Sequence, residues 1–240
     1  MNVRYKKFFV AFLFIVLILF IVWMGFNMNK EYFTEDNVSI PKIIHQTAPA
    51  DKSKWHELWF KCQQSWFDTF PQPEYQYKMW TDQDLDDLIK TDFPWFYEKY
   101  TNYDKNIKRI DMARYFILYK HGGIYADMDY MCMKNFYHLL TPNKVTITES
   151  PYEHEYLQNA LMASNKGNPF WIKVIEEGKK RPDHLSILEL TGPILLSDVY
   201  YENPNEVVPL KKELFNPMVN TPGFDSNDVY TKQFSTCSWC

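Results

Sequence analysis

No sustained basic stripe runs through this 240-residue chain. Acids outnumber bases 30 to 26, and the densest positive cluster is Lys179-Lys180-Arg181. Phosphate neutralisation dominates nucleic-acid affinity, so the composition argues against nucleic acid as a partner and the cluster reads as a solvated helix end. Cysteine is scarce too: Cys62, Cys132, Cys237 and Cys240. The last two form a C-x-x-C with no second such pair, which argues against a structural zinc. In an oxidising compartment the four could form up to two disulfides, in any of three pairings. There is no internal repeat and no low-complexity tract.

What the chain does have begins with an uncharged run from Phe8 to Phe26. At 1.5 Å per residue in a helix it spans roughly 28 Å, close to the hydrocarbon thickness of a bilayer. It is longer than a signal-peptide core and lacks an A-x-A cleavage pattern, so it predicts a membrane anchor. Arg4, Lys6 and Lys7 precede it, while Lys30, Glu31, Glu35 and Asp36 follow. The positive flank stays cytoplasmic, which predicts a single-pass type II protein with its bulk in the lumen of the Golgi or ER. Residues 1–7 then form a cytoplasmic tail, 8–26 the anchor, 27–39 a stem and 40–240 one domain. Roughly 210 residues beyond the anchor suit a single compact core. Asn37-Val38-Ser39 is an N-glycosylation sequon in keeping with that topology.

Within the domain, Ile40 to Gln46 reads as a first strand and Lys54 to Phe70 as a helix, by apolar spacing. Glu74 to Trp80 alternates as a strand does, and Thr81 is placed to cap the helix that follows. Asp104 to His121 is the longest helix candidate, closed by Gly122. Gly123 to Asp129 and Val145 to Thr148 read as strands, 154–165 and 169–180 as helices, and Thr191-Gly192-Pro193 as a turn. Alternating strands and helices predict an α/β domain with a central mixed sheet flanked by helices.

The chemistry centres on GGIYADMDY, Gly122 to Tyr130. In an extended chain Tyr125, Asp127 and Asp129 share one face. Two carboxylates side by side at the end of a buried strand repel unless a cation lies between them, and hard oxygen ligands favour Mg²⁺, Mn²⁺ or Ca²⁺. A solvated strand-end turn would also use aspartates. Upstream, Asp111 and Arg114 lie three apart on one helical face, as a structural pair or as groups for hydroxyls and phosphates. His45 and His121 read as structural histidines.

IPKIIHQT, YQYKMWTDQDL and RIDMARYFILYKHGGIYADMDYM together resemble the D-x-D sugar transferases of glycosyltransferase family 32, and PWFYEKYTNY is similar to the inositol phosphoceramide mannosyltransferase branch. The resemblance runs from about Ile40 to Trp239. It implies a GT-A-like nucleotide-sugar-binding domain and retention of the α configuration. Asp127 and Asp129 would hold Mn²⁺ (or Mg²⁺), and through it the nucleotide diphosphate. Asp111 and Arg114 would contact the donor sugar, with Asn159 nearby, Tyr125 beside the metal and Ser238-Trp239 reaching the diphosphate. Asp111, Arg114 and Asp129 are the catalytic residues on this reading. The implied partners are a nucleotide-sugar donor, favoured as GDP-mannose, a glycolipid or glycan acceptor, the membrane, and room for a regulatory subunit.

The chain departs from the family pattern twice. Gln233 stands where relatives carry His as a further metal ligand, and Ala48 where they often carry a base-stacking Trp. Two other readings remain. A haloacid dehalogenase-type phosphatase needs Thr or Val two positions after the second Asp, where this chain has Met131. A catalytically inactive, membrane-anchored relative could instead bind sugar nucleotide or partner another subunit.

Overall fold

The computed structural model of the protein describes residues 39–152 and 157–236. The predicted anchor, most of the stem, and Cys237 to Cys240 with Ser238 and Trp239 lie outside the described residues. Among those described, no helix is long and apolar enough to cross a membrane.

In chain order the elements are β1 (Ile43–Thr47), α1 (Glu57–Thr69), β2 (Gln76–Trp80), α2 (Asp82–Asp92), α3 (Pro94–Asn102), α4 (Asn106–His121), β3 (Gly123–Ala126), β4 (Tyr130–Cys132) and β5 (Val145–Glu149). There follow β6 (Leu157–Ser164), α5 (Pro169–Lys180), α6 (Ile187–Leu190), α7 (Pro193–Glu202), β7 (Val207–Leu210), α8 (Lys212–Phe215) and β8 (Thr231–Gln233). Six strands form one mixed sheet in the order β2-β1-β3-β6-β5-β7. β1 runs parallel to both β2 and β3, whereas β6 is antiparallel to β3 and β5. β4 and β8 make a separate antiparallel ribbon.

Period-two alternation feeds a core on each face of the sheet. Tyr125, Ile147 and Met162 join Phe116, Trp171 and Leu195 on one side. Ile124, Ala126 and Ala163 join Trp66, Phe70 and Phe136 on the other. Several sequence expectations hold. Thr81 caps α2 in a reciprocal capping box with Asp84. Gly122, at φ 64°, ends α4 by donating to the Leu118 carbonyl, 2.9 Å away.

Other expectations are corrected. The segment expected to be helical over 154–165 is strand β6 across its described part. Leu157, Gln158, Ala160 and Met162 favour helices intrinsically, but all eight residues of β6 are buried between two strands, supplying both cores. Tertiary burial overrides propensity there. The strand expected over 123–129 ends at Ala126, because the chain turns back at Asp127 with Tyr130 N donating to Asp127 O at 3.0 Å. Of the cysteines, Cys62 and Cys132 are free, buried thiols rather than disulfide partners.

His45 is structural. Trp80 Nε1, which can only donate, reaches His45 Nδ1 at 3.1 Å, so the imidazole proton sits on Nε2 and is donated to Gly122 O at 3.0 Å. Burial pushes the imidazole pKa down to about 3. A histidine held neutral in the fold stabilises it fully above its unfolded value near 6.5, and that contribution is lost as pH falls toward 3. The slope is on the order of 1.4 kcal/mol per pH unit in that window. In urea unfolding at pH 7, 6, 5 and 4, His45→Gln is expected to flatten the decline in stability by about that slope.

Candidate active site

α4 carries the first pair of functional groups. Its residues from Asp111 to Leu118 are all buried, so the helix runs through the protein rather than over it. Burying Asp111 and Arg114 demands partners. Arg114 NH2 lies 3.3 Å from Asp111 Oδ1 and 3.2 Å from Asp127 Oδ1, and NH1 donates to the Asn159 carbonyl at 3.1 Å. The guanidinium also lies 5.2 Å from the centre of the Tyr125 ring. Asp111 is completed by Asn159 Nδ2 at 3.1 Å and Thr191 Oγ1 at 3.2 Å. A single cation therefore stands between two carboxylates contributed by a helix and a turn.

Asn159 reaches this cluster because β6 is irregular. Its pairing with β5 shifts between Ile147↔Met162 and Thr148↔Gln158, so three β6 residues fall opposite none. Bulges of this kind re-aim side chains beside active sites. Here the released carbonyls of Asn159 and Ala160 accept from Arg114 and from Asp127 N.

The Asp127–Tyr130 turn is pinned from several elements. Gln46 Nε2 donates to Asp127 O at 3.3 Å, Trp66 Nε1 to Tyr130 O at 2.8 Å, and Phe234 N to Asp129 O at 3.1 Å. Tyr125 OH donates to Asp127 Oδ1 at 2.8 Å and in turn takes the Thr47 hydroxyl at 2.9 Å. Asp129 Oδ2 accepts from Thr236 N at 2.9 Å, and Thr236 Oγ1 accepts from Trp59 Nε1 at 2.9 Å. Gln233 stands opposite Tyr130 on the β4–β8 ribbon, one residue along from Asp129.

Electrostatically the carboxylates are held above their ordinary range. Burial raises Asp127 to about 7; Arg114 opposes this and Asp129 adds to it. Burial raises Asp111 to about 6 against the pull of Arg114. Asp129 is raised by burial and eased by Thr236 and Gln233. Burial pulls Arg114 down, yet Asp127, Tyr125 and Asp111 outweigh it and keep the guanidinium charged.

These residues fit a hard cation. Asp129 Oδ1 is buried and has no hydrogen-bond partner among the described residues, an expensive state for a carboxylate oxygen unless something positive meets it. Two oxygen-donor carboxylates with Gln233 alongside suit Mg²⁺ or Mn²⁺. Among the described residues no third His, Cys, Asp or Glu completes a metal cluster.

The structure thus brings together Asp111, Arg114, Tyr125, Asp127, Asn159 and Thr191, with Asp129 and Gln233 at the ribbon. Thr47, Gln46, Trp59 and Thr236 were not foreseen. Only strand pairing reveals Thr47, two residues past His45, which pairs with Tyr125. Ala48, where a base-stacking Trp was expected from the resemblance, packs with Trp55, Trp59 and Met128.

The site lies at the carboxyl ends of parallel β1 and β3, where the strand order reverses, as in other open α/β sheets that bind ligands. Residues 56–152 match the family described as "Glycosyltransferase sugar-binding region containing DXD motif". That region belongs to this family of DXD-containing glycosyltransferases. The chain is 36% identical over 177 residues to "Inositol phosphoceramide mannosyltransferase 3" of Schizosaccharomyces pombe, covering 72% of this chain and 48% of the relative. It is 34% identical over 179 residues to "Mannosyl phosphorylinositol ceramide synthase CSH1" of Saccharomyces cerevisiae, covering 72% and 46%. The chain spans about half the length of the curated relatives it matches. Among solved structures, "PaToxG Glycosyltransferase" superposes with a TM-score of 0.54 at 19% identity over 69% of this chain and 71% of the other. A glycosyltransferase involved in glycosylation of the PBCV-1 major capsid gives 0.50 at 12% identity over 82% and 95%. Both likenesses bear on the fold alone, which is GT-A-like.

Removing Arg114 leaves Asp111 and Asp127 buried without their shared cation. Arg114→Ala is expected to cost about 3–5 kcal/mol of stability. The loss should be larger at pH 8 than at pH 5.5, where both carboxyls take up protons instead. Urea unfolding at the two pH values checks this.

Proposed function

We propose that this glycosyltransferase moves mannose from GDP-mannose to the headgroup of inositol phosphoceramide, with retention of the α configuration and dependence on a divalent metal, Mn²⁺ in the first instance. The single observation that carries the metal-dependent donor site is the buried, unpartnered Oδ1 of Asp129 beside the Asp127–Arg114–Asp111 cluster. The mannose and lipid assignments rest on what the relatives are named for.

A divalent cation held by Asp127 and Asp129, with Gln233 alongside, would supply fixed positive charge to the departing diphosphate. Arg114 opposes the protonation that burial favours at Asp127, and a bound cation would displace the remaining proton. Its Nε is buried without a partner among the described residues, which leaves one donor for a sugar or phosphate oxygen. Asp111, fixed by Asn159 and Thr191, orients the sugar so that the acceptor hydroxyl meets the anomeric carbon. Retention in one step requires the acceptor hydroxyl to approach on the face that the diphosphate leaves. The bond from the anomeric carbon to the diphosphate breaks as the bond to the acceptor oxygen forms, and the hydroxyl proton passes to the departing diphosphate. Ser238 and Trp239 are proposed as further donors to the diphosphate. The Phe8–Phe26 segment is proposed to tether the domain on the lumenal side of a Golgi membrane, where a lipid acceptor is within reach, and a regulatory subunit remains a candidate partner.

With Mn²⁺, the full chain in detergent should turn over one member of a panel of GDP- and UDP-sugars. Asp129→Ala should lower that turnover by at least about a hundredfold, as loss of a group that stabilises transition-state charge does. No turnover across the panel, combined with no metal-dependent nucleotide binding, would overturn the enzymatic reading in favour of an inactive relative.

A further inference from the structure

Beside the ribbon that carries Asp129 is a cavity of about 250 Å³. Its walls include Tyr152, Asn216, Pro217, Met218, Gln233 and Phe234, and no charged side chain lines it. Gln233 and Phe234 tie it to the D-x-D turn: Gln233 pairs with Tyr130, and Phe234 N donates to Asp129 O. Asn216 is 1% exposed and donates to Gln158 Oε1 at 2.6 Å. Gln158 immediately precedes Asn159, the partner of Asp111. The cavity thus borders both halves of the candidate active site.

Its rim differs from the rest of the site. Tyr152 and Met218 are 48% and 46% exposed, two of the few large apolar side chains that the described surface leaves open. The volume falls below the roughly 300–1,000 Å³ of pockets that enclose a whole drug-sized ligand, so this one encloses part of a ligand and leaves the rest on the rim.

Two substrates need places. A nucleotide belongs at the β1/β3 switch point, where Thr47, Arg114 and Asp127 converge. The cavity lies on the other, Gln233 side of the carboxylate pair. It offers neutral amides and aromatic faces but no cation, so a buried diphosphate does not suit it. The single phosphodiester of a lipid headgroup would stay at the open rim, in water. We infer that this cavity is the acceptor subsite, taking the neutral polyol ring of a lipid headgroup, while the apolar chain of that lipid leaves across Tyr152 and Met218. This rests on the proposed lipid acceptor and assigns it a location. The wall residue Gln233 would then face both substrates, since the same side chain stands next to Asp129.

The test uses the full chain in detergent, with Tyr152→Ser, Met218→Ser and the double variant. Inositol phosphoceramide in mixed micelles is the first acceptor, and chain-free inositol phosphate the second. The double variant should raise KM for the micellar lipid about tenfold with kcat little changed. KM for inositol phosphate and for the donor should move less than twofold. Equilibrium binding of labelled inositol phosphoceramide, measured alongside, should weaken by a similar factor, and it tests the cavity even if no turnover is found. Melting temperatures confirm that the exposed substitutions leave the fold intact. An unchanged KM and unchanged binding for the lipid would overturn the assignment. So would a rise confined to donor KM, which would make the cavity part of the nucleotide site. Absence of donor turnover in the parent chain would instead count against the enzymatic reading.

Discussion

The rest of the site depends on one buried cation. Arg114 touches Asp111 on its own helix, Asp127 on the turn after β3, and the Asn159 carbonyl on β6. Those contacts fasten α4 to two neighbouring strands of the sheet at the place where the ligand crevice opens. A buried ion pair is weak evidence for stability, because desolvation offsets much of the Coulomb attraction. Its value here is positional. It fixes one carboxylate of the D-x-D in a defined orientation and opposes the protonation that its burial favours. The second aspartate is held differently, by backbone groups of Phe234 and Thr236. It retains a buried oxygen with no hydrogen bond of good geometry among the described residues, the nearby Gln233 amide easing its charge. One member of the pair is locked and the other is open, which suits a site that must bind and release.

Much of this was legible from residue order. The glycine pair after α4, the alternation in β2 and the Thr81 cap each follow from local chemistry, and the structure reproduces them. The structure also joins Asp111, Arg114, Asp127 and Asn159 in one cluster; the family resemblance, rather than local chemistry, is what pointed to Asn159. What escaped was set by tertiary surroundings. β6 is written in residues that form helices well, and only its burial on both faces makes it a strand. The extended reading of residues 127–129 failed because the turn is stabilised by Gln46, Trp66 and Phe234, each remote in sequence. Thr47 and Trp59 carry no local signal at all; their roles appear only once the strands are paired and α1 is docked.

The two sides of the carboxylate pair differ in character, and this asymmetry organises the molecule. Toward β1 and β3 lie hydroxyls, a guanidinium and a strand-order reversal, an environment for a charged nucleotide. Toward the ribbon lie neutral amides and an apolar rim. On the proposed reading the donor would take the first side and the body of the acceptor the second, the two meeting at the D-x-D turn.

The ribbon has one further consequence. Asp129 receives Thr236 N, a residue 107 positions later in the chain, and Trp59 grips the same threonine from 177 positions earlier. Contacts that distant in sequence cannot form until both partners have been synthesised, and they slow folding relative to local ones. During synthesis α4, β3 and the sheet can assemble while Asp129 still lacks its backbone donor. The second carboxylate of the D-x-D therefore takes up its described setting only once the chain has been made as far as Thr236.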